Sequence, residues 1–261
     1  MDKNLINYGQ HYMIDETIFD KLIEESELKP KDIVLEIGAG DGRLTKKLCS
    51  KCQKVISFEI DNRNKVELEK LNLKNAVFYF CNFLDFSSPL SFNKIIASLP
   101  YQITEPFIEK ISRLDFESAT LIVGKKFAEG CDKKKLTKNA IYTNCYFNVS
   151  YIQDVSPDKF DPPPKVYSSI IKLVKKSKNE LLEEKSFFIF KQLFEQRDKK
   201  LKNALKESLI RYYQEKGEVL TQKESKAKIS QIFTDEELDL YIENFTNQQY
   251  ECLWKKVEKL N

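Results

Sequence analysis

Ile33-Val34-Leu35-Glu36-Ile37-Gly38-Ala39-Gly40-Asp41-Gly42-Arg43-Leu44-Thr45 is the stretch from which the fold of this chain can be read. Ile33 to Ile37 follow Pro30 and read as a short buried strand. Three alternate glycines then interrupt regular structure, and Arg43 opens a helix. Strand, glycine loop and helix in that order let backbone N–H groups approach a ligand closely. The spacing is G-x-G-x-G, one residue short of the G-x-G-x-x-G of dinucleotide-binding loops, because residue 43 is Arg. A second predicted strand, Lys54 to Glu59, ends in a carboxylate 21 residues after Gly38. An acidic residue there is placed to accept both hydroxyls of a ribose.

The alternation continues. A helix near 63–71 leads to a strand over 76–80 and then to Asn82. The apolar run Ile95-Ile96-Ala97 ends in Ser98-Leu99-Pro100-Tyr101, a helix starts near Thr104, and strands follow at 119–123, before Val155 and at 167–174. Repeated βα units predict an α/β fold, a parallel sheet with helices on both faces and ligands outside the strand C-termini. Gly38, Glu59, Asn82 and Ser98 all fall at predicted strand ends and share one edge. Pro100 fixes its own φ and presses Leu99 toward an extended conformation, so that loop is preset. Ser98 offers an acceptor oxygen and Tyr101 a flat face, parts that suit a planar base carrying an amino group.

The flanks differ. Asn7 to Met13 is an aromatic, polar segment too rich in Gly, Asn and Gln for a strand or a helix start, and a helix is expected from about Glu16 to Ser26. From Leu181 to Leu260 there is one Gly and no Pro, with apolar residues at helical spacing (Phe187, Phe190, Phe194; Leu201, Leu205, Leu209). The reading is a first domain over 1–178 and a small all-helical domain over 179–261, its Phe stripe serving as core.

Composition removes several classes. Hydrophobic residues make up 41% of the 261, with 18 Phe, which excludes global disorder. No run of about 18 apolar residues is present to span a membrane, and Met1-Asp2-Lys3-Asn4 lacks the pattern of a signal peptide. A cytoplasmic protein is expected. Six scattered cysteines read as free thiols, and Cys49-x-x-Cys52 is a lone pair where a structural zinc needs four ligands, so no metal is expected. The single histidine, His11, argues against a histidine-based hydrolase. Net charge is only +3, but 172–206 holds eleven basic and five acidic residues, and Lys125, Lys126, Lys133, Lys134, Lys135 and Lys138 form a second cluster. Such runs are commonly solvated faces; two of them on a nearly balanced chain also suit a polyanionic partner.

Gly9-Gln10-His11-Tyr12-Met13, Glu36-Ile37-Gly38-Ala39-Gly40-Asp41-Gly42, Ser98-Leu99-Pro100-Tyr101 and Phe160-x-Pro162-x-Pro164-Lys165-Val166-x-Ser168 occur here in the order and spacing of one family. Over about 7–206 the chain resembles the ribosomal RNA adenine dimethyltransferases, relatives of the erythromycin-resistance methylases. The stretch 196–205 is similar to the basic helix of the dimethyltransferase branch. The resemblance implies a Rossmann-like class I methyltransferase domain and S-adenosylmethionine as methyl donor. It also implies transfer to the N6 amine of adjacent adenines near the 3′ end of small-subunit rRNA during ribosome biogenesis. The large basic faces are those of a monomer, and a monomer is expected. The resemblance assigns His11, Met13, Gly38, Gly40, Glu59, Asn82 and Ser98 to the cofactor, and Ser98, Leu99, Pro100, Tyr101 and Phe160 to the target base. Lys165, Arg197, Lys199, Lys200 and Lys202 fall to RNA phosphates. Asn82 and Ser98 depart from the family, which usually has Asp and Asn there, and Gly124-Lys125-Lys126-Phe127 replaces a Gln-Lys-Glu-like stretch. Two other readings stay open: an RNA-binding assembly factor that kept the fold and lost methyl transfer, and a nicotinamide dehydrogenase, disfavoured by the short glycine motif.

Overall fold

A computed structural model of the chain describes residues 10–260. Asn7, Tyr8 and Gly9 of the N-terminal motif lie outside them. The chain forms two compact units: one up to Glu129 with Val149–Lys175, the other Gly130–Asn148 with the chain from Lys176 onward.

The first unit alternates helices and strands: α1 (Glu16–Glu25), β1 (Ile33–Ile37), α2 (Arg43–Cys49), β2 (Lys54–Phe58), α3 (Lys65–Lys70), β3 (Ala76–Tyr79), β4 (Lys94–Ser98), α4 (Thr104–Ser112), β5 (Ser118–Gly124), α5 (Lys125–Gly130), β6 (Phe147–Val155) and β7 (Ser168–Lys175). Among the described residues the sheet has seven strands in the order β3-β2-β1-β4-β5-β7-β6. β1 pairs parallel with β2 on one side and β4 on the other, while β7 runs antiparallel to β5. Chain order therefore reverses between β1 and β4, and the loops leaving them diverge to open a crevice at their C-terminal ends.

Residues two apart on a strand share a face. Val34, Val55, Ile96 and Ile122 pack with Phe19, Leu22 and Ile23 of α1 and with Leu44 and Leu48 of α2. On the other face Phe58 meets Phe83 at 5.1 Å, and Phe83 meets Phe107 of α4 at 5.8 Å. Each fully buried side chain of this kind contributes about 1.5–3 kcal/mol. α1 starts at Asp15, whose carboxylate accepts from the Thr17 N–H at 3.0 Å.

The N-terminal segment, expected to be irregular, is partly strand: Tyr12–Met13 pairs antiparallel with Phe160–Asp161. Two short segments far apart in sequence satisfy each other's backbone groups, which neither could do alone.

The second unit is helical: α6 (Lys138–Tyr146), α7 (Lys178–Glu183), α8 (Lys185–Glu195), α9 (Leu201–Glu215), α10 (Gln222–Ser230), α11 (Asp235–Leu238) and α12 (Asn247–Val257). Phe187, Phe190, Phe194, Leu201, Leu205, Leu209 and Trp254 are buried together. A single boundary between 178 and 179 does not describe the chain. Ile141 and Cys145 of α6 belong to the same apolar cluster as α8 and α9, so 130–148 joins the helical unit ahead of β6. With one Gly and no Pro to punctuate this region, four of its helices start on capping boxes: Ser177 with Glu180, Thr221 with Glu224, Thr234 with Glu237 and Thr246 with Gln249. The stretch 196–205 is not one basic helix. α8 ends at Glu195, and Arg197, Lys199 and Lys200 occupy the turn before α9. The backbone there pairs elsewhere: Lys200 bridges to Tyr241, and the Leu201 N–H donates to the Leu240 carbonyl at 2.8 Å. No helix among the described residues is long and apolar enough to cross a membrane.

Glu36 stands in the middle of this packing. Its Oε2 accepts from Thr45 Oγ1 of α2 at 2.6 Å and from Ser57 Oγ of β2 at 2.7 Å, and its Oε1 has no partner among the described residues. Burial pushes its carboxyl up to about 7, against the two hydrogen bonds that lower it. The unfolded chain loses that proton near the ordinary carboxyl value, so stability from this group is full in acid and is lost as pH rises through 7. In urea titrations Glu36→Gln is expected to gain on the natural chain as pH goes from 5 to 8, by about 3 kcal/mol at most. A constant difference between the two proteins at both pH values contradicts the assignment.

Candidate active site

The glycine loop leaves β1 with all three glycines at positive φ, +80°, +57° and +81° for Gly38, Gly40 and Gly42. Two reasons for glycine are spatial. A Cβ on Gly40 would lie 3.2 Å from the Tyr12 ring, and one on Gly42 would lie 2.3 Å from Leu71 Cδ1. The Gly38 N–H donates to the Phe58 carbonyl at 2.8 Å, which ties the loop to the end of β2.

Glu59 follows β2 directly and is 3% exposed. Its Oε2 accepts from the Gly40 N–H at 2.7 Å and its Oε1 from the Asp61 N–H at 2.8 Å. Burial raises its carboxyl above the ordinary value, and the two backbone N–H groups act against that shift. After β3, Asn82 caps the single turn 83–85: its Oδ1 accepts from the Leu84 N–H at 3.1 Å, and its Nδ2 donates to Asp85 Oδ2 at 2.8 Å.

At the end of β4 the Leu99 N–H donates to the Ile122 carbonyl at 2.9 Å, and the Pro100 carbonyl accepts from the Ile103 N–H at 3.1 Å. Ser98 is thus delivered by a loop fixed on both sides, in keeping with the stiffness that Pro100 imposes. Tyr101 is half-buried, its hydroxyl 2.7 Å from Ser168 Oγ. Its ring lies against Gly124, where a Cβ would come to 3.4 Å.

His11, Met13, Gly38, Gly40, Glu59, Asn82, Ser98, Leu99, Pro100, Tyr101 and Phe160 all line one cleft of about 220 Å³. They do not line it alike. Met13, Leu99 and Phe160 are 4%, 3% and 4% exposed, and Met13 and Phe160 belong to the apolar cluster beneath, so these three are wall more than contact surface. The ring facing Tyr101 is that of His11, with centroids 6.2 Å apart and planes at 27°. His11 Nδ1 lies 2.6 Å from the Pro162 carbonyl and donates to it, which fixes the ring. Sequence reasoning missed Gln10. It lines the cleft, and its buried Oε1 has no hydrogen-bond partner among the described residues. Its place beside His11 in the N-terminal motif was the available signal. Among the described residues no group of three or more His, Cys, Asp or Glu could hold a metal ion.

The five basic residues assigned to RNA are in different situations. Lys165 is exposed. In the helical unit Lys199 pairs with Glu207 at 2.7 Å, and Lys200 and Lys202 converge on Asp239 at 3.2 and 2.7 Å. Arg197 is half-buried and has partners of its own.

The loop geometry predicts a contrast between two glycines. Gly42→Ala is expected to destabilise the protein by about 1–2 kcal/mol, because a Cβ at positive φ is strained and Leu71 must also move. Gly130→Ala at the end of α5, with nothing within 4 Å of the new methyl, is expected to be neutral or stabilising by up to about 1 kcal/mol. Chemical denaturation of both variants checks this; equal effects contradict it.

Comparison with known proteins bears on this cleft. A protein named probable ribosomal RNA small subunit methyltransferase A, from Methanopyrus kandleri, is 34% identical over 207 residues, covering 76% of this chain and 74% of its own. The ribosomal RNA small subunit methyltransferase A of Mycoplasmopsis pulmonis is 37% identical over 210 residues, covering 76% and 82%. The crystal structure of a dimethyladenosine transferase from Plasmodium falciparum superposes with a TM-score of 0.64 at 26% identity, covering 96% of this chain and 98% of that one. The 23S rRNA methyltransferase ErmE shares the fold, with a TM-score of 0.60 at 23% identity over 95% and 99%. The family model described as ribosomal RNA adenine dimethylase matches residues 1–239, and the chain with this cleft belongs to that family.

Proposed function

We infer that this protein transfers methyl groups from S-adenosylmethionine to the N6 amine of adjacent adenines near the 3′ end of small-subunit ribosomal RNA, as a monomer in the cytoplasm during subunit assembly. The observation that carries this reading is the single cleft in which the glycine loop, Glu59 and Asn82 meet Ser98, Pro100 and Tyr101. Cofactor-binding groups and base-binding groups face one space, which a transfer reaction requires and a purely RNA-binding factor does not.

The residues present fit the cofactor. Gln10 Oε1 is a buried acceptor in want of a donor, which an ammonium group supplies. Gly38 and Gly40 leave room for the amino-acid end, Glu59 retains lone pairs for the ribose hydroxyls, and Asn82 offers an oxygen to the adenine amine. Bound there, S-adenosylmethionine supplies a methyl group activated by its sulfonium.

The chain's own task is orientation. An adenine amine is a weak nucleophile because its lone pair is delocalised into the ring. Acceptors at Ser98 and a neighbouring backbone carbonyl hold the two amine hydrogens and turn the lone pair toward the methyl. This is positioning and preorganised electrostatics, and it requires no strong base. Tyr101 supplies the stacking face for the base, with Phe160 and Leu99 as the apolar wall; stacking contributes about 1–3 kcal/mol per base. Lys165, Arg197, Lys199, Lys200 and Lys202 hold phosphates without reading sequence.

Two experiments test this. With small-subunit particles lacking the modification, labelled S-adenosylmethionine should yield dimethyladenosine. Ser98→Ala should lower kcat on the order of 100-fold and S-adenosylhomocysteine affinity far less, while Ser98→Asn stays within about tenfold. Transfer restored only in Ser98→Asn, and absent from the natural chain, would establish the assembly-factor reading instead. For the RNA face, Asp239→Asn releases Lys200 and Lys202 from their shared partner. Binding of an rRNA fragment should tighten, and its salt dependence should steepen by about one to two phosphate contacts. An unchanged salt slope removes these two lysines from the RNA face.

A further inference from the structure

Asn82 is an amide at a position where the cofactor's adenine amine needs an acceptor, and an amide has a right and a wrong way round. Its oxygen accepts and its NH2 donates, and rotation by 180° about the last side-chain bond exchanges them. A carboxylate has no such ambiguity. An asparagine here therefore calls for something that fixes its orientation.

The structure contains that element. Asn82 Nδ2 lies 2.8 Å from Asp85 Oδ2, and Asn82 Oδ1 lies 3.1 Å from the Leu84 N–H. A carboxylate oxygen can only accept and a backbone N–H can only donate, so both neighbours select the same orientation of the amide. Asn82 lines the cleft, whereas Asp85 is an exposed residue that does not. The NH2 is thereby drawn toward a group outside the cleft. The oxygen has two lone pairs, and the Leu84 N–H uses one of them.

We propose that Asp85 is a positioning residue that locks the Asn82 amide with its oxygen available to the ligand, and so makes the cleft select a 6-amino purine over a 6-oxo purine. Asn82 and Asp85 together do what one carboxylate at position 82 would do alone. The proposal rests on the reading above that Asn82 meets the cofactor's adenine amine. It has a further consequence. Two carboxylates at this 2.8 Å spacing would repel, so Asp85 supports an amide at 82 and opposes an acid there.

The test compares binding of S-adenosylhomocysteine with that of S-inosylhomocysteine, which carries a 6-oxo group and an N1–H where the first has a 6-amino group and a bare N1, by isothermal titration. The natural chain should prefer the 6-amino ligand by about 100-fold, since a 6-oxo group sets acceptor against acceptor. In Asp85→Ala only the Leu84 N–H still holds the amide, which can turn its NH2 to the 6-oxo ligand for the loss of that one hydrogen bond, and the preference should fall about tenfold. Asp85→Asn retains an acceptor oxygen and should recover most of it. In an Asn82→Asp background the effect of Asp85→Ala should reverse in sign, with S-adenosylhomocysteine binding more tightly once Asp85 is gone. If Asp85→Ala weakens both ligands by one factor, Asp85 merely shapes the turn and the proposal fails. A preference lost in Asn82→Ala yet intact in Asp85→Ala overturns the proposal and keeps the reading of Asn82. A preference intact in both removes Asn82 from adenine recognition altogether.

Discussion

The carboxylate of Glu59 accepts from the N–H of Gly40 at 2.7 Å, and the arrangement of the cleft follows from that bond. It joins the loop after β1 to the end of β2, the two edges between which a ribose would sit. A buried carboxylate is held in place by such donors because leaving it unpaired costs several kcal/mol. The loop can present its N–H only because Gly40 takes a positive φ and carries no Cβ to meet the Tyr12 ring. Tyr12 in turn is placed by strand pairing with Asp161, and that pairing brings the Phe160-to-Ser168 motif back to the glycine loop.

Glu36 and Glu59 show how one pair of strands treats two acids differently. Glu36 points into the interface between β1, β2 and α2, with two hydroxyl donors on one oxygen and none on the other. Glu59 lies at the strand end, with a backbone N–H on each oxygen. Burial raises both carboxyls. The first tunes packing, while the second is a pair of acceptors lining the cleft.

The departures from the family pattern also read as physics. Asn82 keeps an acceptor oxygen and sits beside a carboxylate that fixes its amide. Ser98 keeps an oxygen on a loop held by the Leu99 N–H and the Pro100 carbonyl. Gly124 gives Tyr101 a flat backbone to lie on. In the helical unit, Glu207 and Asp239 partly neutralise Lys199 and Lys200 of the turn and Lys202 of α9.

By itself the sequence determined the α/β alternation, the edge shared by Gly38, Glu59, Asn82 and Ser98, and the core role of Phe187, Phe190 and Phe194. These are local matters: glycine and proline punctuate the chain, and side-chain period follows from strand and helix geometry. Tertiary structure decided the rest. Tyr12–Met13 became strand because Phe160–Asp161 lay alongside, and 196–205 broke into a turn and a helix because its backbone paired with 240–241. The segment 130–148 joined the helical unit because Ile141 and Cys145 found apolar partners there. Gln10 showed itself in the lining of the cleft and its unpaired oxygen, and Asp85 in its contact with Asn82 three residues away. The first three depend on which groups meet across long stretches of chain and the last two on how side chains are turned, neither of which propensity or spacing fixes.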